Sequence, residues 1–296
     1  MTPFISVIIP TFRDWSRLQL CVQALKQQTL SKDTYEVIIV NNDPENPIPS
    51  ALELPENCTL TEESKVGSYA ARNKGIQIAR GNIYAFTDSD CIPNRDWLEQ
   101  TMLKLKMLNV DGVAGKVEFV YVNEFNLSSA ELYEKLFGFP FQRKKRNGEE
   151  TKNLVTANFV CKRHLFQGCG LFNGDLKSGG DSLFAKKVIS KGYRIIYCGE
   201  AIVKHPSRYR IVELARKRQR VLGGKIDAQQ NHGNKEIYPF LYKVLEEQAR
   251  RMRFVVMKNQ DDWPTKLKLL YAMSLISVYY VGEAVRIKVG GRTRRY

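Results

Sequence analysis

The sequence predicts an α/β fold in which a mostly parallel central sheet is flanked by helices and followed by a helical C-terminal extension. Three observations carry this expectation. Short β-branched runs alternate with stretches of helical periodicity through the first half of the chain, the order that yields parallel strands joined by crossover helices. Three of those runs end in polar residues, as strands do where they reach a ligand-binding rim. From Ser207 onward the pattern is helical with no further sheet signal, which divides the chain into residues 1–205 and 206–296.

Ile5 to Ile9 is a continuous apolar run closed by Pro10, so it reads as a strand buried on both faces. Asp14 or Ser16 is placed to cap a helix whose apolar positions Leu18, Cys21, Val22 and Leu25 recur at helical spacing as far as Gln28. Tyr35 to Val40 repeats the buried-strand pattern and closes at Asn41-Asn42-Asp43-Pro44, where Asn and Asp tolerate turn geometry and proline blocks continuation. Ser68 to Ala79 reads as a helix ended by Arg80-Gly81, a basic last turn and a glycine cap. Ile83 to Thr87 is a strand running into Asp88-Ser89-Asp90, and another helix begins within Pro93 to Leu98. Beyond it come strand-like Gly112 to Val122, a helix over Ser129 to Phe137 and a charged loop over 141–150 of expected mobility. A strand over Leu154 to Cys161, a helix over Asp181 to Lys191, and short strands over Tyr193 to Tyr197 and Ala201 to Val203 complete the first part.

A chain of 296 residues with 43% hydrophobic content can bury a full core. Its formal charge of +15 is uneven: 20 basic and 8 acidic residues lie between Arg208 and Tyr296. A basic surplus raises the reading of a nucleic-acid-binding protein. Its confinement to one region, and the lack of a helix-turn-helix, zinc-finger or aromatic RNP pattern, argue against that reading, and no nucleic acid is expected. Cys21, Cys58, Cys91, Cys161, Cys169 and Cys198 contain no C-x-x-C pair, which favours reduced thiols and a cytosolic setting. Cys161, His164 and Cys169 complete no common zinc set and read as a histidine among buried thiols. Met1 to Ser6 shows no charged segment leading into the long apolar run of a secretory signal.

In an open α/β sheet the ligand lies outside the carboxyl ends of the strands. Three such ends, Pro10-Thr11-Phe12-Arg13, Asn41-Asn42-Asp43 and Asp88-Ser89-Asp90, therefore form one polar rim. Two carboxylates on alternate residues, Asp88 and Asp90, can share a hard divalent cation if the backbone turns between them. They can equally cap the helix that follows.

The ordered segments Val7 to Arg13, Ile38 to Asp43, Ala71 to Gly75 with Ala79 to Gly81, and Ala85 to Asp90 resemble the nucleotide-binding half of family-2 glycosyltransferases of the GT-A fold, a Rossmann-like architecture. Thr156 to Phe159, Gly179-Gly180-Asp181, Gly192 to Arg194 and Val203 to Pro206 resemble that family's acceptor-side segment, so the likeness covers most of the first 205 residues. It implies an inverting enzyme that uses a nucleotide-sugar and a divalent metal. Pro10, Thr11 and Arg13 would line the nucleotide pocket, and Asn42 or Asp43 would read the base. A carboxylate accepting from a pyrimidine N–H makes uridine, and so a UDP-sugar, the expected donor. Relatives often place two acidic residues directly after this strand, where this chain has Asn41-Asn42 before Asp43. Arg72 and Asn73 fall where relatives place donor contacts, and Arg72 reads equally as a structural ion-pair partner. Asp90, with Asp88 less directly, would hold Mn2+ or Mg2+ against the donor diphosphate, and His205 resembles the histidine completing that site, or simply ends a strand. Asp181 would be the general base; it is also placed to cap its helix.

In the basic C-terminal part, Arg208 to Arg220 and Leu267 to Val285 suit a helix packed on its own domain or lying on an anionic bilayer. The second stretch is marginal in length and carries Lys268 and Glu283, which disfavours a transmembrane span. The expected enzyme is thus cytoplasmic and peripheral on the inner face of the cell membrane, its extension recruiting the membrane, a glycan or lipid-linked acceptor, or a second subunit of a homo-oligomer. A sugar-phosphate nucleotidyltransferase, the enzymatic rival, would need a glycine-rich, lysine-bearing loop after the first strand, and Pro10 to Asp14 is not one.

Overall fold

A computed structural model describes residues 4–50, 52–139, 142, 145–176, 178–230, 237–257 and 260–291. Residues 1–3, Arg143 and Lys144 of the basic loop, and Arg292, Arg294 and Arg295 at the end lie outside the described residues. The chain divides into two compact units. The first comprises Met1–Glu118, Phe141–Asp175 and Gly180–Pro206, and the second comprises Phe119–Pro140, Leu176–Gly179 and Ser207–Tyr296.

The first unit is built on β1 (Ile5–Thr11), β2 (Tyr35–Asn41), β3 (Cys58–Glu62), β4 (Ile83–Phe86), β5 (Ile92–Pro93), β6 (Gly112–Val120), β7 (Phe159–Lys162) and β8 (Ile195–Pro206), in the order β3-β2-β1-β4-β7-β6-β8-β5. The sheet is mixed. β1 runs parallel to β2 and β4, and β2 parallel to β3, whereas β7 pairs antiparallel with β4 and β6, and β5 with β8. The apolar runs of β1 and β2 are buried along their whole length, as strands covered by helices on both faces must be. Those helices include α1 (Trp15–Lys26), α2 (Ser68–Ile78) and α3 (Trp97–Met107). Leu18, Cys21, Val22 and Leu25 form the buried face of α1.

Several local expectations change. β3 is an edge strand whose residues are only partly buried, so it lacks the apolar run that marks a buried strand. The segment expected as a strand from Leu154 begins as a 3-10 turn over Thr156–Asn158 before β7. The strands expected over Tyr193 to Tyr197 and Ala201 to Val203 are one strand, β8, which begins at Ile195 and continues through Gly199. The helix α5 (His164–Cys169) forms in a glycine-flanked segment with no helical pattern. Gly81 does not cap α2, which closes at Ala79. A Cβ there would stand 2.6 Å from the Phe4 carbonyl and 2.7 Å from the Ser6 nitrogen, so glycine is required for close approach to β1. In the described part of the 141–150 loop Gly148 N–H donates to Tyr197 O and Lys145 bonds Glu149.

The second unit is helical, with α4 (Ser129–Phe137), α7 (Ile211–Gln230), α8 (Ile237–Met257) and α9 (Trp263–Lys288). The helix α6 (Gly180–Ser190) belongs to the first unit. A capping box starts α4, Ser128 accepting from Glu131 N–H while the Glu131 carboxylate accepts from Ser128 N–H. One face of α9, formed by Leu269, Ala272, Met273, Ile276, Tyr280 and Ala284, packs with Tyr133, Leu214, Leu222 and Val255 into a single core. Each such fully buried aliphatic side chain contributes about 1.5–3 kcal/mol. Among the described residues no helix is long and apolar enough to cross a membrane.

Candidate active site

The parallel half of the sheet positions the first group of expected site residues. In the β1–β2 register Thr11 stands beside Asn41, so the residues that follow emerge together, and Arg13 pairs with Asp43. Arg13 is held at φ 53, a left-handed conformation that costs a non-glycine residue about 1–2 kcal/mol. Asn42 plays a different part. Its amide nitrogen donates to Glu63 O and Lys65 O at 2.8 Å each, and its oxygen accepts from Gly67 N–H at 2.7 Å. Both amide hydrogens are used, so Asn42 fastens the turn that leads into α2, while the Asp43 carboxylate is held by Arg13. Pro10 lies within buried β1, while the Thr11 hydroxyl is buried with no hydrogen-bond partner.

β4 ends one residue before Thr87, and the chain then turns tightly, with Cys91 N–H donating to Asp88 O at 3.1 Å. The turn brings Asp88 and Asp90 together. They do not cap α3, whose N-cap is Asp96. The antiparallel pairing of Ile92 with Lys204 brings the end of β8 alongside this turn, and atoms of Asp88, Asp90, Cys91 and His205 lie within 4.8 Å of one another. His205 Nδ1 is 2.7 Å from the Pro206 carbonyl. A carbonyl only accepts, so Nδ1 carries the hydrogen, and Nε2 is the ring nitrogen on the Asp90 side, 4.0 Å away. Two carboxylates and an imidazole nitrogen suit Mn2+ or Mg2+. Burial pushes the Cys91 thiol well above its usual range, with Asp88 and Asp90 adding to the effect, so it stays protonated beside them. Arg17 of α1 adds a cation 3.6 Å from Asp90.

Asp181 lies in the first turn of α6, inside the helix and not at its cap. Its carboxylate accepts from Thr156 N–H at 3.3 Å and from the Thr156 hydroxyl at 3.1 Å. Its own N–H donates to the Tyr69 hydroxyl at 3.3 Å. Gly180 is needed here because a Cβ would fall 2.5 Å from the Tyr69 ring. Burial raises the Asp181 pKa, the nearby Arg72 guanidinium opposing it and Asp88 adding to it. Arg72, itself buried, bonds Asp88. It forms an ion pair there, and its charge also acts on Asp181, which links the Asp88–Asp90–His205 cluster to Asp181 in one constellation. Asn73 is turned away from this constellation, its amide clamping the Phe172 backbone at 2.8 and 3.1 Å.

Tyr69, Cys91 and Arg17 are neighbours that the sequence did not single out. Only a fold that packs α2 against α6, and β5 against β8, reveals them. His164 pairs with Asp111 at 2.9 Å, and Cys161 and Cys169 are buried.

Residues 6–170 match the family described as Glycosyl transferase family 2. Over 232 residues the chain is 36% identical to Glycosyltransferase AglE of Haloferax volcanii, spanning 76% of this chain and 73% of that protein. Among solved structures it is similar to the mannosyltransferase PcManGT from Pyrobaculum calidifontis in complex with GDP-Man and Mn2+, with TM-score 0.57 and 19% identity over 97% of this chain and 87% of that one. It is also similar to S. aureus TarS 1–349 in complex with UDP, with TM-score 0.55 and 19% identity over 98% of this chain and 93% of that one.

Proposed function

The chain belongs to glycosyl transferase family 2 and is a glycosyltransferase that draws on a nucleotide-sugar, and from this we propose that it moves the sugar of a UDP-sugar to a hydroxyl of a glycan or lipid-linked acceptor by single displacement with inversion. The observation that carries the reading is Arg72, buried and bonded to Asp88 while its charge acts on Asp181. It supports placing the diphosphate end of the donor and the base in one site.

Asp43, steadied by Arg13, accepts the N–H of the uracil ring. The solved relatives hold GDP-Man and UDP, so the choice of base rests on this chain's own residues. Asp90, Asp88 and His205 hold Mn2+ or Mg2+. When bound, the cation offsets the charge that builds on the leaving diphosphate oxygen. Asp181 takes the proton of the acceptor hydroxyl as its oxygen bonds to the anomeric carbon. The bond from that carbon to the diphosphate breaks, and the nucleoside diphosphate departs from the opposite face.

Membrane apposition is supported by the second unit. Phe125, Met257, Trp263 and Leu267 are exposed, and Lys268 bonds Asn126 and Leu127 while Lys266 bonds Val256, gathering them near the α8–α9 turn. Exposed aromatic and aliphatic side chains beside lysines suit the surface of an anionic bilayer.

Calorimetric titration with UDP, GDP and dTDP, each with and without Mn2+, tests the site. UDP binds most tightly and requires the metal, and Asp90→Ala weakens it at least tenfold. Metal-independent UDP binding that is unchanged in Asp90→Ala would defeat the assignment.

A further inference from the structure

The helical unit contains a cavity of about 80 Å3 lined by residues of α7, α8 and α9, among them Arg218, Leu222, Glu247, Gln248, Arg251 and Tyr280. Its volume is well beyond the roughly 15 Å3 that one water needs. Gln248 is 3% exposed, yet neither its amide nitrogen nor its oxygen has a hydrogen-bond partner, and Arg218 Nε is likewise unpartnered. Buried polar atoms are normally paired. Among the described residues only a few are not, and three of those belong to Thr11, Arg72 and Thr87 around the donor site while three line this cavity. The remaining two belong to Gln142 and Gln219, so it is the pairing of three such atoms with a cavity that sets this place apart.

The lining specifies the ligand. The Arg218 guanidinium lies over the Tyr133 ring, 5.0 Å from its centroid, and offers Nε–H to an acceptor. Arg251 already bonds Glu247 and the Tyr133 hydroxyl, which leaves Arg218 as the cation available to an anion. Gln248 presents a donor and an acceptor side by side. An oxyanion without a hydroxyl would satisfy the arginine and the amide N–H but leave the amide oxygen unpaired, whereas a neutral sugar, whose hydroxyl oxygens can accept from Nε–H, would bring no counter-charge to the guanidinium. We infer that this cavity is a second binding site, separate from the transfer chemistry, for the charged end of an acidic sugar: a phosphate or carboxylate with an adjacent hydroxyl.

Titration of the full chain with glucose 1-phosphate, glucuronate, sulfate and glucose tests it. At least one charged sugar binds tenfold or more tightly than sulfate and glucose, and comparison of the first two separates phosphate from carboxylate. Gln248→Leu, close to isosteric and free of an unpaired amide, keeps or raises Tm while weakening that binding at least tenfold; Asp90→Ala leaves it unchanged. Equal binding of sulfate, no binding of either charged sugar, binding that survives Gln248→Leu, or binding lost in Asp90→Ala each overturns the inference. Because the readout is binding in a different unit, failure here says nothing of UDP and Mn2+, and their failure says nothing of this cavity.

Discussion

Asp181 sits where burial disfavours its charge, with Arg72 and the Thr156 N–H holding the shift in check. A general base works deprotonated, so activity falls on the acid side as pH drops through this raised pKa, higher than the roughly 3.9 of a free aspartate. A pH profile of kcat/KM measures that limb. The sign for stability is opposite to that of a salt-bridged carboxylate: with the folded pKa raised, the carboxyl's contribution is fully present below its unfolded pKa and is lost as pH rises through the folded one. Asp181→Asn should therefore lower transfer about 10²–10⁴-fold with an unchanged or higher Tm at neutral pH and with UDP binding intact. A marked drop in Tm would assign the carboxylate a structural role instead. Residue types at strand ends were legible in the sequence, since Asp43, Asp88 and Asp90 follow apolar runs and Asp181 follows two glycines. Their partners were not. Asn42 bonds residues 21 to 25 positions away and Asn73 a residue 99 away, distances over which one sequence carries no signal.

At the scale of elements, periodicity located the segments that bury a full face. β1, β2 and α4 fall where their patterns place them, because continuous apolar runs and a capping box are local statements. β3 and β5 gain their hydrogen bonds from neighbouring strands and expose part of their surface, so nothing local announces them. The direction of β7 was hidden for the same reason: antiparallel and parallel neighbours of a buried strand have the same composition. Gly81 exemplifies a residue whose role changes with context. Gly81→Ala forces a methyl into the Phe4 and Ser6 backbone and should destabilise the chain by about 1–3 kcal/mol, read as a lower Tm in thermal unfolding. An unchanged Tm would mean that β1 can shift to admit it.

For the molecule as a whole, the basic surplus of the C-terminal part resolves into specific work. Glu134 is 1% exposed and accepts from Arg208 N–H, Arg208 Nη1 and Lys217 Nζ at 2.8 to 2.9 Å. Burial opposes its ionisation, but Lys217 and Arg208 prevail and hold its pKa down to about 2. Its contribution is therefore present above the unfolded carboxyl pKa and lost as pH falls toward about 2. Glu134→Gln leaves two partly buried cations without their counter-ion and should cost about 1–3 kcal/mol, measured by denaturant unfolding. The exposed surface makes its own test. The full chain should float with vesicles containing anionic lipid, and Trp263→Glu should reduce the floated fraction several-fold; equal partitioning of the two would remove the bilayer from the account.

The clamp formed by Asn42 joins matters that its position in the chain keeps apart. It stands next to the residue proposed to read the nucleobase, yet its amide secures the entry to α2, the helix that carries Tyr69 and Arg72 to Asp181, the proposed base. Retuning nucleotide preference by redesigning the end of β2 would thus disturb acid–base chemistry as well, and an engineer wishing to swap donors should leave position 42 alone and work outward from Asp43.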